Sequence, residues 1–482
     1  MRWSCILRVV GALIICIGLT MLFSLGFAVY YRDDSQLPLL ESLGLAVALG
    51  ASLFLPFRRE RVLSINHREG MAIVTLSWVG SSLIGALPFY VGNVFETFTD
   101  AFFESVSGFT TTGSSVLTDI EVVAPGFLMW RSLTHWLGGM GIIVFSIAIL
   151  PFLGVGGMQL YKAEVPGPVP DKLKPRIRDT AMVLWKVYLF FSVVLTVLLM
   201  GGGMNLFDSL CHTFGTMATG GFSTKNGSVG HYNSAYLDIV ITLFMLIAGL
   251  NFSLHYLALL GKPSALLKDP EARFFIGAVT IFTLACTVSV LGSSYDSFGA
   301  ALRYSLFQVA SIITTTGFVT ADYEKWHPLS QLILAFCMFL GACAGSTGGG
   351  IKCMRVMLML KDTYLELLRL IHPRAVLHVK MGRRIVPDEV MKGIWGFFMI
   401  YLGFFIVASF LLSAMGVDLV SACSAVAATL GNVGPGLGSV GPVDNFAHLP
   451  ALGKWLLSLC MLLGRLEIYT MVVLLVPEFW RK

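Results

Sequence analysis

Thr110-Thr111-Thr112-Gly113 sits in a polar break between long apolar runs, and three counterparts follow it: Ala218-Thr219-Gly220-Gly221, Thr314-Thr315-Thr316-Gly317 and Gly431-Asn432-Val433-Gly434. Their terminal glycines recur at intervals of roughly a hundred residues, which reads as four copies of one part. Four copies around an axis would make a pore. Small residues and glycine at membrane depth let the backbone leave helical geometry and turn carbonyl oxygens inward, where they can replace the hydration shell of an alkali cation. The expected substrate is an ion.

Working outward, the surroundings leave little room for a soluble fold. The 482 residues are 56% hydrophobic and only 13% charged, with a mean hydropathy of +0.79, more apolar surface than one globular core can bury. Runs long enough to cross about 30 Å of hydrocarbon lie near 9–31, 39–57, 71–92, 126–155, 181–204, 235–260, 274–292, 329–344, 394–415 and 451–477. The first follows Arg2 and Arg8 like a signal peptide, but its length and Tyr30-Tyr31-Arg32-Asp33 argue for a retained helix. Of the 33 Lys and Arg, 25 fall in one alternating set of loops and termini, including Arg58, Arg68, Lys162, Arg178, Lys262, Lys352, Lys392 and Lys482. By the positive-inside rule that side, with both termini, is cytoplasmic. The quartets then face outward, behind acids such as Glu96, Asp119, Glu121, Asp322, Glu324 and Asp444 that concentrate cations or simply solvate outer loops.

Each quartet follows a stretch too short to span: Phe98 to Phe109, Phe207 to Met217, Phe298 to Ile313 and Asp418 to Leu430. These read as re-entrant half-helices, with Asp100, Asp208 and Asp418 in or beside the first turn as caps. The expected fold is an all-α polytopic membrane protein: four pseudo-symmetric repeats of span, half-helix, filter and span (67–160, 161–265, 266–386 with a broken second helix, and 387–482) around one pore, after an N-terminal hairpin over 1–66.

Two further constellations lie in the spans. Gly341-Ala342-Cys343-Ala344-Gly345-Ser346-Thr347-Gly348-Gly349-Gly350 must interrupt the eighth span before helix resumes at Ile351, since five glycines in ten residues loosen a helix. Irregular backbone at this depth must be buried in protein or line water. A phosphate loop is excluded, because Ile351 separates Gly350 from Lys352 and Cys353 follows. Arg465, near the middle of the last span, is costly without polar company. Glu467 lies on another helix face, so loop carbonyls, pore water or another helix must receive the guanidinium.

Other polar residues carry weaker signals. Glu104 within reach of Arg131 reads as a packing pair. His135, His212 and His255 read as core histidines, Gly138-Gly139-Met140-Gly141 as a close-packing stretch, and nine scattered cysteines imply neither zinc nor disulfides.

The stretches SGFTTTGSS (107–115), ATGGFST (218–224), TTTGFVT (314–320), GNVGPGLG (431–438), LGACAGSTGGGIK (340–352) and LGRLEIYT (463–470) together resemble the Trk/Ktr/HKT superfamily of potassium transporters, nearest its bacterial TrkH/TrkG branch. The resemblance implies potassium uptake across a bacterial inner membrane, with K+ as substrate ion, no bound cofactor and no enzymatic activity. All sixteen quartet residues would form the potassium filter, and Gly345, Ser346, Thr347, Gly348, Gly349, Gly350 and Arg465 the gate. It also implies a homodimer with two pores and a cytosolic nucleotide-binding regulatory subunit of TrkA type, not nucleic acid. That subunit, or anionic lipid, would meet the basic stretches Lys162 to Arg178 and Lys352 to Lys392. The alternative is a secondary transporter, a symport of potassium with protons or sodium. Inverted repeats would suggest one, whereas quartets that all face one side favour a channel-like path.

Overall fold

A computed structural model describes residues 1–58, 65–141, 177–382 and 384–481. The latter part of the fourth expected span, the basic stretch from Lys162 to Arg176, and Arg59, Arg61, Arg383 and Lys482 lie outside the described residues.

The chain folds as a polytopic bundle of apolar helices. The hairpin Trp3–Tyr31 and Gln36–Phe54 closes through small residues. A Cβ on Gly11 would stand 2.7 Å from the Gly50 carbonyl oxygen, and one on Gly50 would stand 2.7 Å from that of Gly11, so only glycine lets these backbones approach.

Four rounds of one pattern follow. Ingoing helices are His67–Val91, Ile177–Gly201, Pro270–Val290 and Asp388–Ala414. Half-helices are Phe98–Phe109, Leu206–Met217, Phe298–Ile313 and Leu419–Leu430, and outgoing helices are Pro125–Gly139, Ala235–Gly249, Pro328–Cys337 and Ala451–Arg465. Trp3 stacks on Trp480 with ring centroids 5.9 Å apart, and Arg68, opening the first ingoing helix, donates to the Phe479 and Arg481 carbonyls. Both termini and the start of the first ingoing helix therefore share one side.

Half-helix starts are set by a residue other than most of those expected. Thr97, Asn205, Ser297 and Asp418 are the caps, accepting from the N–H groups of Asp100, Asp208, Ala300 and Ser421. Only Asp418 caps as the sequence reading held. Asp100 and Asp208 are the third helical residues; each accepts from the side chain of its capping residue, and Asp100 also pairs with Lys454 while Asp208 also accepts from Thr224. The hydroxyl or amide oxygen reaches back to the orphan N–H while the backbone is still extended, which suits these residues to the position.

The outgoing helices are shorter than the expected spans. The run 235–260 breaks between Gly249 and Phe252 with a 105° bend, and 451–477 breaks after Arg465 with a 112° bend. Arg465 is thus the last residue of its helix, not a mid-span residue. Glu467 and Ile468 beyond it take φ of 52° and 53°, a conformation that side chains rarely adopt. The eighth span ends at Cys337 and helix resumes at Cys353, not Ile351. Leu340 and Ile351 bridge the neck of the loop between them, Gly341 donating to the Ile351 carbonyl at 2.9 Å. Beyond it lie the helix Cys353–Ile371 and an antiparallel pair, Lys380–Met381 with Arg384–Ile385.

Candidate functional site: the quartet ring and the loop beneath it

Each half-helix ends in the same hydrogen-bonded turn. The second quartet residue donates three residues back: Thr111 to Gly108, Thr219 to Thr216, Thr315 to Ile312 and Asn432 to Thr429. The third donates five back: Thr112 to Ser107, Gly220 to Gly215, Thr316 to Ser311 and Val433 to Ala428, at 2.7 to 2.9 Å. This paired pattern satisfies the last helical carbonyls and requires a left-handed residue just past the helix. Thr111, Thr219, Thr315 and Asn432 supply it, with φ of 53°, 54°, 60° and 54°. Threonine is strained there, and such strain concentrates at functional positions.

The fourth residue is left-handed again, with Gly113, Gly221, Gly317 and Gly434 at 86°, 79°, 81° and 102°. The first and third residues are absent from that region. Alternation of this kind gathers successive N–H groups on one side and carbonyls on the other.

The glycines also close a ring. A Cβ on Gly113 would stand 2.1 Å from the Gly220 carbonyl oxygen, on Gly221 2.0 Å from that of Thr316, on Gly317 2.3 Å from that of Val433, and on Gly434 2.7 Å from that of Thr112. Each recurring glycine thus packs on the third carbonyl of the next quartet, and the fourth returns to the first. Asn432 Nδ2 donates to Thr112 Oγ1 at 2.9 Å and Ser114 Oγ to the Gly434 carbonyl at 2.9 Å, sewing the closing joint. The partly negative ends of four half-helices meet at this ring.

The glycine-rich loop lies against the first and second positions of the quartets. Gly349 N–H donates to Thr315 Oγ1 at 2.7 Å, and a Cβ on Gly349 would stand 2.6 Å from the Gly431 carbonyl oxygen. Thr347 Oγ1 donates to the carbonyls of Met217 and Ala248 at 3.0 and 3.2 Å, and Thr219 Oγ1 approaches it at 3.3 Å. The loop therefore engages quartets 2, 3 and 4. Of the quartet side chains, Thr111 Oγ1 and Asn432 Oδ1 are buried without a hydrogen-bond partner.

Arg465 ties the loop to the first repeat. Nη1 donates to the Thr347 carbonyl at 2.7 Å, and Nη2 to those of Gly138 and Gly139 at 2.6 and 3.1 Å. Of the receivers open in the sequence, loop carbonyls are realised, together with carbonyls of Gly138 and Gly139. These two glycines also pack closely: a Cβ on Gly138 would stand 1.8 Å from the Phe109 carbonyl oxygen. Lys352 Nζ reaches the Gly348 carbonyl, and Glu467 pairs with Arg355. On the loop's other side a cavity of about 430 Å³ opens toward the strand pair, with Asn251, Glu271, Lys352 and Arg465 in its wall.

The weaker candidates are structural. Glu104 and Arg131 pair at 2.6 Å, both buried. Glu104 also accepts from Val116 N–H and Ser115, while Arg131 reaches the Ser223 carbonyl and lies 3.5 Å from the Phe222 ring centre. The pair joins the half-helix, the stretch after the first quartet and the outgoing helix of the first repeat to the second. His212 meets the Asp208 carbonyl and Ser223 Oγ, and His255 meets the Ile247 carbonyl. In the outer loops Glu324 accepts from Gly438 N–H, and burial with Asp444 and Asp322 nearby holds its carboxyl above the usual range.

Sequence reasoning missed the left-handed second positions and the neighbouring-carbonyl contacts of the glycines. The recurrence of threonine or asparagine at that place was the available signal.

A family model described as TrkH, cation transport protein, matches residues 41–482. The chain is 44% identical to the Trk system potassium uptake protein TrkH of Salmonella typhimurium across the whole of both chains. It is 36% identical to the Trk system potassium uptake protein TrkG of Escherichia coli over 98% of this chain and 97% of that one. The fold matches the crystal structure of the potassium transporter TrkH from Vibrio parahaemolyticus with a TM-score of 0.89, at 39% identity and covering both chains fully. These relatives are named as transport proteins, not enzymes.

Proposed function

Because the chain belongs to the TrkH family of cation transport proteins, we propose that it takes up potassium across a bacterial inner membrane as the ion-conducting subunit of a Trk-type system. The observation that carries this reading is the closed ring of glycine–carbonyl contacts through all four quartets. Carbonyls gathered at the joined ends of four half-helices offer a dehydrated potassium or rubidium ion the oxygens it loses from water. Thr111 Oγ1 and Asn432 Oδ1 add polar atoms that protein does not claim. Only the glycine recurs in all four quartets, so ordered carbonyl layers are few, and sodium is excluded less strictly than by a filter of four identical segments.

The loop and Arg465 form the gate in this reading. The loop occupies the inner side of the ring, and the guanidinium beside it sets a positive charge against an emerging cation. Conduction then requires both to move. Contacts that run in chain order around the ring suit four repeats of one topology, which favours a channel-like path over inverted-repeat alternating access.

The basic stretch from Lys352 to Lys392 would face the cytoplasm and meet a TrkA-type nucleotide-binding subunit. That partner and the homodimer rest on the family resemblance. Reversal potentials of the purified chain in liposomes under potassium, sodium and proton gradients test the reading. Currents should reverse near the potassium potential, and reversal that follows the proton gradient would favour a coupled symport.

A further inference from the structure

Glu271 stands in the first turn of the third ingoing helix, buried, and none of the filter or gate residues includes it. Its Oε1 accepts two backbone hydrogen bonds, from Ala344 N–H at 2.7 Å and from Met354 N–H at 3.0 Å. Those residues flank the stretch Gly345 to Gly350 of the loop. Ala344 is where the chain enters it, and Met354 is the second residue of the helix Cys353–Ile371 that leaves it.

Two local features explain why a carboxylate serves here. The first helical N–H groups have no partner within their own helix, and Lys352, the capping residue, offers no side-chain bond to them. A carboxyl oxygen from another helix supplies that acceptor. The clasped ends also bracket the points where the loop turns. Gly345, one residue inside Ala344, has φ of 73°, and Gly350, before the helix resumes, has φ of 67°.

We propose that Glu271 is the positioning residue of the intramembrane loop: one carboxylate oxygen holds both ends to the third ingoing helix, so that Gly345 to Gly350 moves as a flap between two fixed points. The inference rests on the reading of this loop as the gate. The flap's ties to its surroundings include the Gly349 bond to Thr315, the contacts of Thr347 with Thr219, Met217 and Ala248, and the Arg465 bond to Thr347, none of which involves Glu271, so they can break while the clasp persists. Backbone bonds still close the neck, from Gly341 N–H to the Ile351 carbonyl and from Cys353 N–H to the Ala342 carbonyl, so without the clasp the neck stays closed but loses its tie to the third ingoing helix, and the flap no longer seats under the ring.

Radioactive rubidium uptake into liposomes holding the full-length chain tests this. Glu271→Ala should raise flux about tenfold, since two hydrogen bonds are lost, while the potassium-to-sodium permeability ratio stays unchanged because the ring is untouched. Glu271→Gln, which keeps an acceptor oxygen, should restore the low flux. Glu271→Asp, one methylene too short to reach both N–H groups, should fall between, and it serves if the alanine variant does not assemble. Deletion of Gly348 to Gly350 is the control. If the deletion raises flux and neither Glu271→Ala nor Glu271→Asp does, Glu271 is not the clasp although the loop is the gate. If neither the deletion nor the substitutions raise flux, the gate reading falls and the clasp with it. A changed permeability ratio in Glu271→Ala would also overturn the proposal, since it would place the effect in the ring.

Discussion

Arg465 and Thr347, 118 residues apart in sequence, are joined by a 2.7 Å hydrogen bond from the guanidinium Nη1 to the loop carbonyl. The helix that carries Arg465 ends at that residue, and its Nη2 reaches the carbonyls of Gly138 and Gly139. One side chain thus fastens the loop of the third repeat to the helix ends of the fourth and first.

Arg465→Ala should raise cation flux. In the gate reading a fixed positive charge in a narrow passage opposes a cation by a few kcal/mol at an effective dielectric of about 20, and 1.4 kcal/mol is a tenfold change in rate. The rubidium uptake assay reads this directly. Loss of flux in protein that still folds and inserts would make Arg465 a helix clamp and remove it from the gate.

The ring glycines should differ in a set order. Serine at Gly221 or Gly113 brings Cβ to 2.0 or 2.1 Å from a neighbouring carbonyl oxygen, at Gly317 to 2.3 Å, and at Gly434 to 2.7 Å. All four sites also carry a positive φ. Potassium preference over sodium should therefore fall most in Gly221→Ser and Gly113→Ser and least in Gly434→Ser, measured as permeability ratios. Equal ratios in all four, at normal expression, would reduce the glycines to turns.

Breaking the Glu104–Arg131 pair should act on stability first. Removing one partner of a buried ion pair costs about 3 to 5 kcal/mol because the other charge is stranded, and here Val116 N–H and Ser115 also lose an acceptor. Glu104→Ala should lower the thermal unfolding midpoint in detergent well below that of Glu121→Ala, an exposed control. An unchanged midpoint would show that the pair contributes little.

Orientation follows from charge and is open to labelling. After removal of native cysteines, a cysteine at the exposed Asn226 should react with an impermeant thiol reagent from outside intact cells, and one at the exposed Asp388 only after the inner face is opened. Labelling of position 388 in intact cells would invert the topology.

Much of the fold was legible because membrane depth punishes ambiguity. Phe98–Phe109 and Phe298–Ile313 end where the sequence reading put them, since a polar residue opens each and a polar or glycine-containing quartet closes it. The breaks at Leu250-Asn251 and Leu466-Glu467 were not legible. Neither carries the glycine or proline run that marks a broken helix, and tertiary partners hold the chain open: Gly345 accepts from Phe252 N–H, and Arg355 takes Glu467. At the candidate site the recurring glycine could be read, but its reason could not, because the carbonyl that excludes a Cβ comes from another repeat. Left-handed threonines escaped for the opposite cause, since local propensity argues against them.

Anomalous diffraction from crystals grown in rubidium tests the central claim most directly. The account predicts a rubidium peak on the axis of the ring, bounded by the carbonyls of Thr112, Gly220, Thr316 and Val433. Rubidium bound elsewhere in the protein, with no peak within that ring, would contradict it.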